Sequence, residues 1–403
     1  MSGQRYSQRP GWNVGKSVDL TTYVDRSYGR VVRVPGPHGY AFYVPAPLPR
    51  SLDLAAGTVV ALSRADRALG RLAGAGRLLA DPHLLVRPYL VTEALASSRI
   101  EGTQASLSEV LEADVDDGPA AAHDVREVQN HIAAFDLGRA LLAELPLSLR
   151  LVRRVHERLL TDVRGEEKRP GEFRTSQNWI GRPGGSLAEA AYVPPRHDPE
   201  MLDALGDWER FLNEDADLPP LVAAGLLHLQ FESIHPFLDG NGRIGRLMVP
   251  LYLLATGELP EPLLYLSPWF ERNREEYYTR LQGVRERGEL QEWLAFFLEG
   301  VAVMATEAID RVEALTDLQR RYRAALVGDR SNAGAVVDLL FANPFVTTQR
   351  VMNHLGVTNA GANNAIRRVA ERGWLTRRGT SGRGGRITWA ADEVLAILSR
   401  VEH

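Results

Sequence analysis

Residues 235–246 read His235-Pro236-Phe237-Leu238-Asp239-Gly240-Asn241-Gly242-Arg243-Ile244-Gly245-Arg246. Pro236 and the Gly240-Asn241-Gly242 triplet dictate a loop, and the apolar residues beyond it predict a helix over Ile244 to Ala255. A glycine-rich loop running into a helix can aim several backbone N–H groups at one point, where the helix adds the positive end of its dipole. That is an anion site, and phosphate is its natural occupant. Arg243 and Arg246 lie three apart on one helix face, within reach of adjacent phosphates of a polyphosphate. Asp239 supplies the carboxylate that, together with phosphate oxygens, holds Mg²⁺. His235, at the entrance, has an imidazole whose ordinary pKa of about 6.5 suits general-base work. A plain turn, a solvated arginine pair or a structural histidine would each explain one feature; their meeting in one short segment favours phosphate chemistry.

The rest of the chain is ordinary in composition. Its 403 residues, at roughly 100–200 per domain, predict two to four domains with a substantial core. With 44% hydrophobic and 24% charged residues it is neither disordered nor fibrous. The formal net charge of −4 excludes a basic surface over the whole molecule but leaves room for a local patch. There is no cysteine, so disulfides, thiolate nucleophiles and thiolate metal sites are excluded together. Met1 to Asn13 is polar, and the most apolar stretch, Leu247 to Ala255, falls far short of the ~20 residues a spanning helix needs. A cytoplasmic protein without membrane association is expected.

Working outward, Arg30 to Val34 and Tyr40 to Val44 flank a Pro35-to-Gly39 turn and predict a hairpin or extended arm within residues 1–50. Leu52 to Leu111 carries apolar residues at helical spacing, Asp114 to His123 reads as a loop, and Val125 to Leu145 as a helix stopped by Pro146. After a helix over Leu149 to Leu160, the glycines and prolines of Arg169 to Pro195 predict a hairpin. Helices are expected over Pro199 to Asn213, Leu221 to Ile234, Trp269 to Arg287 and Leu290 to Leu326, the last long enough to link two domains. The remaining chain is different: Phe345 to Ala390 holds eight arginines against one acid, Glu371.

The segment 235–246 resembles the signature of the Fic family at every fixed position: a His, a Phe, an acid, Gly-Asn-Gly-Arg and a final Arg at the family's spacing. The likeness spans roughly residues 50 to 305. Gly171-Glu172-Phe173-Arg174, Trp179-Ile180-Gly181 and Tyr192-Val193-Pro194-Pro195 resemble the family's flap, a hairpin that docks an extended target segment beside the nucleotide, with Ile180, Gly181 and Tyr192 as the expected contacts. The resemblance implies a mainly α architecture, the Fic (Fido) helical core with a β-hairpin flap. It also implies a protein adenylyltransferase with ATP as substrate, Mg²⁺ as cofactor and a Tyr, Thr or Ser hydroxyl of a protein, or of the chain itself, as acceptor. His235 would deprotonate that hydroxyl for in-line attack on the α-phosphate. Asp239 would hold Mg²⁺ on the α- and β-phosphates. Gly240, Asn241, Gly242 and Arg243 would stabilise the developing charge, and Arg246 would hold the γ-phosphate. Pro236, Phe237 and Leu238 complete the expected nucleotide loop, and Gln230 and Asn273 match positions that contact nucleotide in Fic proteins of this architecture.

Upstream, Ser97-Ser98-Arg99-Ile100-Glu101-Gly102 resembles the family's inhibitory motif, a Ser or Thr followed after three residues by Glu-Gly. The resemblance implies that Ser97, Glu101 and Gly102 form an internal inhibitor, with Glu101 competing for the guanidinium of Arg246. Such a pair, if partly exposed, would contribute under about 1 kcal/mol to stability.

In the tail, Thr347 to His354 and Thr358 to Arg372 predict two helices, and Trp374 to Thr376 and Arg386 to Trp389 two strands around Gly379 to Gly385. The pattern resembles a winged helix-turn-helix whose wing carries Arg377, Arg378, Arg383 and Arg386; DNA binding and docking to protein or to a second copy are both open to it. The expected division is an N-terminal arm 1–50, an inhibitory helical region 51–120, a catalytic core 121–328 and a winged-helix domain 329–403. Three functions remain in play: the adenylyltransferase; a deAMPylase or another phosphate-group transferase at the same site; and a DNA-binding regulator that senses ATP.

Overall fold

A computed structural model describes residues 21–36, 39–78, 82–115, 122–182, 185–214, 216–381 and 386–399. At its centre lie the two helices that flank the 235–246 loop. The first strands are β1 (Gly29–Val34) and β2 (Tyr40–Pro45). The helices that follow are α1 (Ala56–Leu78), α2 (Pro82–Ile100), α3 (Leu107–Ala113), α4 (His123–Leu141), α5 (Leu149–Leu159), α6 (Glu200–Asn213), α7 (Pro220–Ile234) and α8 (Asn241–Ala255). Every residue of α7 from Leu221 to Ile234 is buried, so it is a core helix covered on all faces, started by Pro220 at its first position. Residues Asn241 to Leu251 of α8 are likewise buried. Around this pair pack α9 (Ser267–Arg272), α10 (Arg274–Arg287) and the long α11 (Leu290–Ala324), with α1 lying along α11. The molecule is mostly helical.

Several elements depart from expectation for identifiable reasons. The single helix expected over Trp269 to Arg287 is broken at Asn273 (φ −110°, ψ 37°), which closes α9 and opens α10. The Asn273 side-chain amide donates to Trp269 O (3.0 Å), a local bond that competes with the helical ladder. The helix expected to reach Leu145 ends at Leu141 in a turn. Within Leu52 to Leu111, Ser106 starts α3 with a reciprocal capping box to Glu109. The hairpin expected over Arg169 to Pro195 forms no strand among the described residues; its two arms pair as an isolated bridge, Ile180 with Tyr192, and Gln177 Nε2 donates across to Pro194 O (2.9 Å).

The arm forms the antiparallel hairpin β1–β2, in register Val32 with Phe42. It packs on the flap region: Tyr43 N–H donates to Val193 O (2.9 Å), and Phe42 is buried with Trp179 and Val193. Residues 37–38 of its turn, and 116–121 of the loop expected over Asp114 to His123, lie outside the described residues.

The tail begins with α12 (Ala333–Ala342), then β3 (Phe345–Thr347), α13 (Thr348–Leu355), α14 (Asn359–Glu371), β4 (Thr376–Ser381), β5 (Arg386–Ala390) and α15 (Asp392–Leu398). Its sheet has the order β3-β5-β4, with an irregularity between Arg377 and Thr380. Strand β3 was not expected, and Trp374 lies before β4, not in it; its ring stacks on Tyr322 of α11 (4.2 Å between centroids). Residues 382–385, within the expected wing, lie outside the described residues, and so do the side chains of Arg383 and Arg386. One buried apolar cluster runs from Leu48 to Leu398, because α12 packs on α2 as well as on α11. Asn343 reinforces that joint, donating to Leu111 O (2.9 Å). Among the described residues no helix is long and apolar enough to cross a membrane.

Candidate active site

His235 closes α7 in the left-handed region (φ 49°, ψ 61°), which turns the chain sharply into the loop and is uncommon for a residue other than glycine. The turn is held from below. Arg174, 2% exposed, donates Nε to His235 O (3.0 Å), and its backbone N–H donates to Pro236 O (2.9 Å). Asn178 Nδ2 donates to Phe237 O (2.9 Å). Burial lowers the Arg174 pKa to about 9.

Within the loop Asn241 braces the chain, accepting from Phe237 N–H and donating to Phe237 O, both at 2.8 Å. Its side chain thus shapes the loop between α7 and α8. Gly240 (φ 74°) makes the left-handed entry to α8. His156 supports the loop from α5: its ring stacks on Phe237 at 3.7 Å, Nδ1 accepts from Gly171 N–H (2.8 Å), and Nε2 therefore donates to Asp239 O (3.0 Å).

The two arginines take different surroundings. Arg243, 1% exposed, has Nη1 3.9 Å from Glu127 and Nη2 3.7 Å from Asp239, while Nε and Nη1 find no hydrogen-bond partner among the described residues. Burying guanidinium donors without acceptors is costly, so this side chain fits a bound oxyanion. Arg246 is held from α2: Nε donates to Ser97 Oγ (3.0 Å), and Nη2 to Ser97 O (2.9 Å) and Glu101 Oε1 (3.0 Å). Burial works against its charge, yet Glu101 and then Tyr277 and Glu232 hold its pKa above the ordinary arginine value. The end of α2 fixes Glu101 in place. Gly102 (φ 100°) takes the left-handed position, and Thr103 N–H reaches back to Ser98 O (3.1 Å). The Glu101 carboxylate also lies against Gly242, where a Cβ would collide with it.

The pair is only slightly exposed, and more on one side than on the other: the side chains of Arg246 and Glu101 are 1% and 10% exposed. Losing one partner of a buried pair costs about 3–5 kcal/mol, far more than a surface pair. Here the two bonds from Arg246 to Ser97 soften that loss.

For a divalent cation the donor set is one carboxylate plus what the substrate brings. Asp239 Oδ1 accepts from Gly240 N–H (2.6 Å), and Gly165 (φ 96°) leaves open the space beside Oδ2, where a Cβ would stand 3.2 Å away. That geometry fits Mg²⁺ completed by phosphate and water oxygens. An Asp239→Ala variant is expected to weaken MgATP binding and its metal dependence together, measured by calorimetry; unchanged affinity would leave Asp239 a turn-forming role.

A cleft joins Glu101, Ile180, His235, Gly242 and Arg246. It also brings in Glu232, Tyr277, Tyr278, Leu281 and Arg285, which sequence reading missed. One signal was available for Glu232, the one acid within the mostly apolar run 221–234. Tyr192 belongs to the same corner: its hydroxyl donates to Ser233 O (2.6 Å), and the Arg285 guanidinium lies 3.9 Å over its ring. Gly181 follows the bridge at Ile180. Gln230 and Asn273 do not line the cleft. Gln230 donates to Ala46 O (2.9 Å), tying α7 to the arm, and Asn273 serves its helix break.

The basic tail is more neutral than its sequence, because the fold brings acids to it. Arg368 and Arg372 approach Asp329 (3.5 and 3.1 Å), Arg378 pairs with Asp392, and Arg350 reaches Asp114 O (3.5 Å). Arg367 and Arg377 are exposed.

Buried histidines give a pH prediction. Burial lowers the pKa of His156 to about 4 and of His131 and His228 to about 3. A depressed histidine favours folding while neutral, fully above the unfolded value of about 6.5, and loses this as pH falls towards the folded value, by about 1.4 kcal/mol per unit and group. Buried Glu93, raised to about 7 by desolvation, acts oppositely, since its folded form takes up a proton first. Three histidines outweigh one glutamate, so Tm is expected to fall as pH drops below about 6.5; a Tm that holds steady to about pH 5 would contradict these environments.

The chain carries Fic/DOC family domains. Residues 59–140 match the Fic/DOC family N-terminal description, and residues 146–253 the Fic/DOC family description. It is 29% identical over 177 residues to the protein adenylyltransferase Fic of Drosophila yakuba, covering 42% of this chain and 32% of that protein. The Drosophila melanogaster protein of the same name is 28% identical over 177 residues, with the same coverage. The chain thus spans about a third of the length of these curated relatives. A crystal structure of a Fic family protein from Desulfovibrio desulfuricans superposes with a TM-score of 0.54 at 21% identity, covering 85% of this chain and 98% of that one, so the fold is shared.

Proposed function

We propose that this chain is an auto-inhibited, Mg²⁺-dependent protein adenylyltransferase. The observation that carries the reading is the buried guanidinium of Arg243 at the start of α8, 3.7 Å from Asp239, whose Nε and Nη1 have no hydrogen-bond acceptor among the described residues. A polyphosphate laid along the loop supplies those acceptors. The hydroxyl oxygen of a protein side chain attacks the α-phosphorus, the bond to the bridging oxygen breaks, pyrophosphate leaves, and His235 takes the hydroxyl proton. Bound at Asp239, Mg²⁺ would screen the α- and β-phosphates. The loop N–H groups and Arg243 receive the charge that develops on the α-phosphate oxygens. The adenylyltransferase names of the Drosophila relatives favour ATP as donor.

The Glu101–Arg246 pair supports the inhibitory part of the reading, since a guanidinium held by a carboxylate cannot also clamp the γ-phosphate. Intact-mass measurement after incubation with MgATP tests transfer directly. Increments of one AMP on the chain or on an added lysate protein bear the reading out. Loss of AMP from a pre-modified protein without any gain would favour the deAMPylase instead.

For residues 329–403 we infer a winged helix-turn-helix, supported by the order α12, β3, α13, α14, β4, β5. Exposed Arg367 and Arg377 favour duplex DNA as its ligand, with affinity falling steeply as salt rises, by a log–log slope of about −0.9 per phosphate contacted. The full chain is the right material for a gel-shift series, because the tail shares its core with α2. No shift even at low salt would favour a docking role.

A further inference from the structure

Glu232 is an acid in a helix whose other residues from Leu221 to Ile234 are almost all apolar, and it is only 7% exposed. It stands one turn before His235, with Oε2 4.0 Å from the imidazole Nδ1. Space for it comes from Gly245 on α8: a Cβ at that position would stand 2.6 Å from Glu232 Oε1, so the carboxylate fills the volume a side chain would need. The backbone of Gly245 is fixed in turn, its carbonyl 3.0 Å from His228 Nδ1. A buried carboxylate is expensive unless a cation or hydrogen-bond donors meet it.

We propose that Glu232 is the positioning residue of the general base. On this view, which rests on the transfer reaction proposed above, its carboxylate holds the proton of His235 on Nδ1, leaves Nε2 unprotonated for the incoming hydroxyl, and stabilises the imidazolium formed when that proton arrives. The charged and titratable groups around the ring act in both directions. From α2 comes Glu101, from α8 Arg246, and from α10 Tyr277, Tyr278 and Arg285, while Arg174 meets the His235 carbonyl. Arg246 and Arg285 both oppose a second positive charge. When nucleotide displaces Glu101, one of the two cleft carboxylates is lost and Glu232 carries the compensation of an imidazolium.

Two variants and two readouts test this, made in the Glu101→Gly background so that transfer is not limited by inhibition. Glu232→Gln keeps shape and removes charge. It is expected to lower the rate about 10-fold at neutral pH, shift the acid limb of the kcat profile down by about one pH unit, and leave the KM for MgATP unchanged. Gly245→Ala should change the profile in the same direction, because its methyl displaces the carboxylate. Nitrogen-15 NMR of the histidines reads tautomer and pKa without any turnover: His235 should carry its proton on Nδ1 in the parent and lose that preference, with a lower pKa, in Glu232→Gln. An unchanged tautomer and pKa in a folded Glu232→Gln protein would overturn the role of Glu232. Absence of AMP transfer by the parent, with the NMR result as expected, would instead count against the reaction and leave the pairing standing.

Discussion

Replacing His235 with alanine is expected to reduce AMP transfer by about 10²–10⁴-fold while leaving MgATP affinity nearly intact, since the imidazole moves a proton and holds no phosphate. The structure sharpens this expectation. His235 is 1% exposed and its backbone carbonyl, not its ring, is what Arg174 and Asn178 hold, so truncating the ring leaves the turn's supports in place. Alanine takes the left-handed backbone at position 235 less readily than histidine, at a cost of about 1 kcal/mol, so the fold should survive. Single-turnover transfer alongside calorimetric binding separates the two effects. Near-native transfer by the variant would remove His235 from the role of base.

Glu101→Gly is expected to raise AMP transfer at saturating MgATP, including onto the chain itself, by releasing the Arg246 guanidinium for the γ-phosphate. Because the pair is buried, the release has a second consequence. Without nucleotide the variant should be less stable than the native chain by up to about 3–5 kcal/mol, reduced by the bonds that Arg246 keeps to Ser97. MgATP should restore much of that loss, since a ligand that binds only the folded state stabilises it by mass action. The variant therefore ought to show a larger nucleotide-induced rise in Tm than the native chain. Arg246→Ala in the same background should stay inactive, as the clamp is then missing. A Glu101→Gly protein no faster than native would reduce the end of α2 to scaffold.

The two expectations were legible in the sequence to different depths. The loop and helix of 235–246 could be read locally, because a turn between two apolar runs is written in neighbouring residues. That Ser97, Glu101 and Arg246 meet could be inferred only through resemblance, as 145 positions separate the carboxylate from the guanidinium. That they meet in a buried setting was not legible at all, since burial depends on α2, α8 and α10 closing around them. Gln230 and Asn273 show the same limit: that one ties α7 to the arm and the other closes a helix break is decided by the fold.

The sequence by itself determined the turn of the central loop, the helices on either side of it and the mainly helical architecture, because each rests on contacts within a few residues. Only the tertiary structure decided which partner each charge would have. It gave Arg246 to Glu101, left Nε and Nη1 of Arg243 without a hydrogen-bond acceptor among the described residues, set Glu232 against His235 through the gap at Gly245, and paired arginines of the arginine-rich stretch 345–390 with Asp329 and Asp392 on either side of it. The physical reason is that local conformation follows from near neighbours, whereas the energy of a buried charge is set by whatever distant segments pack around it.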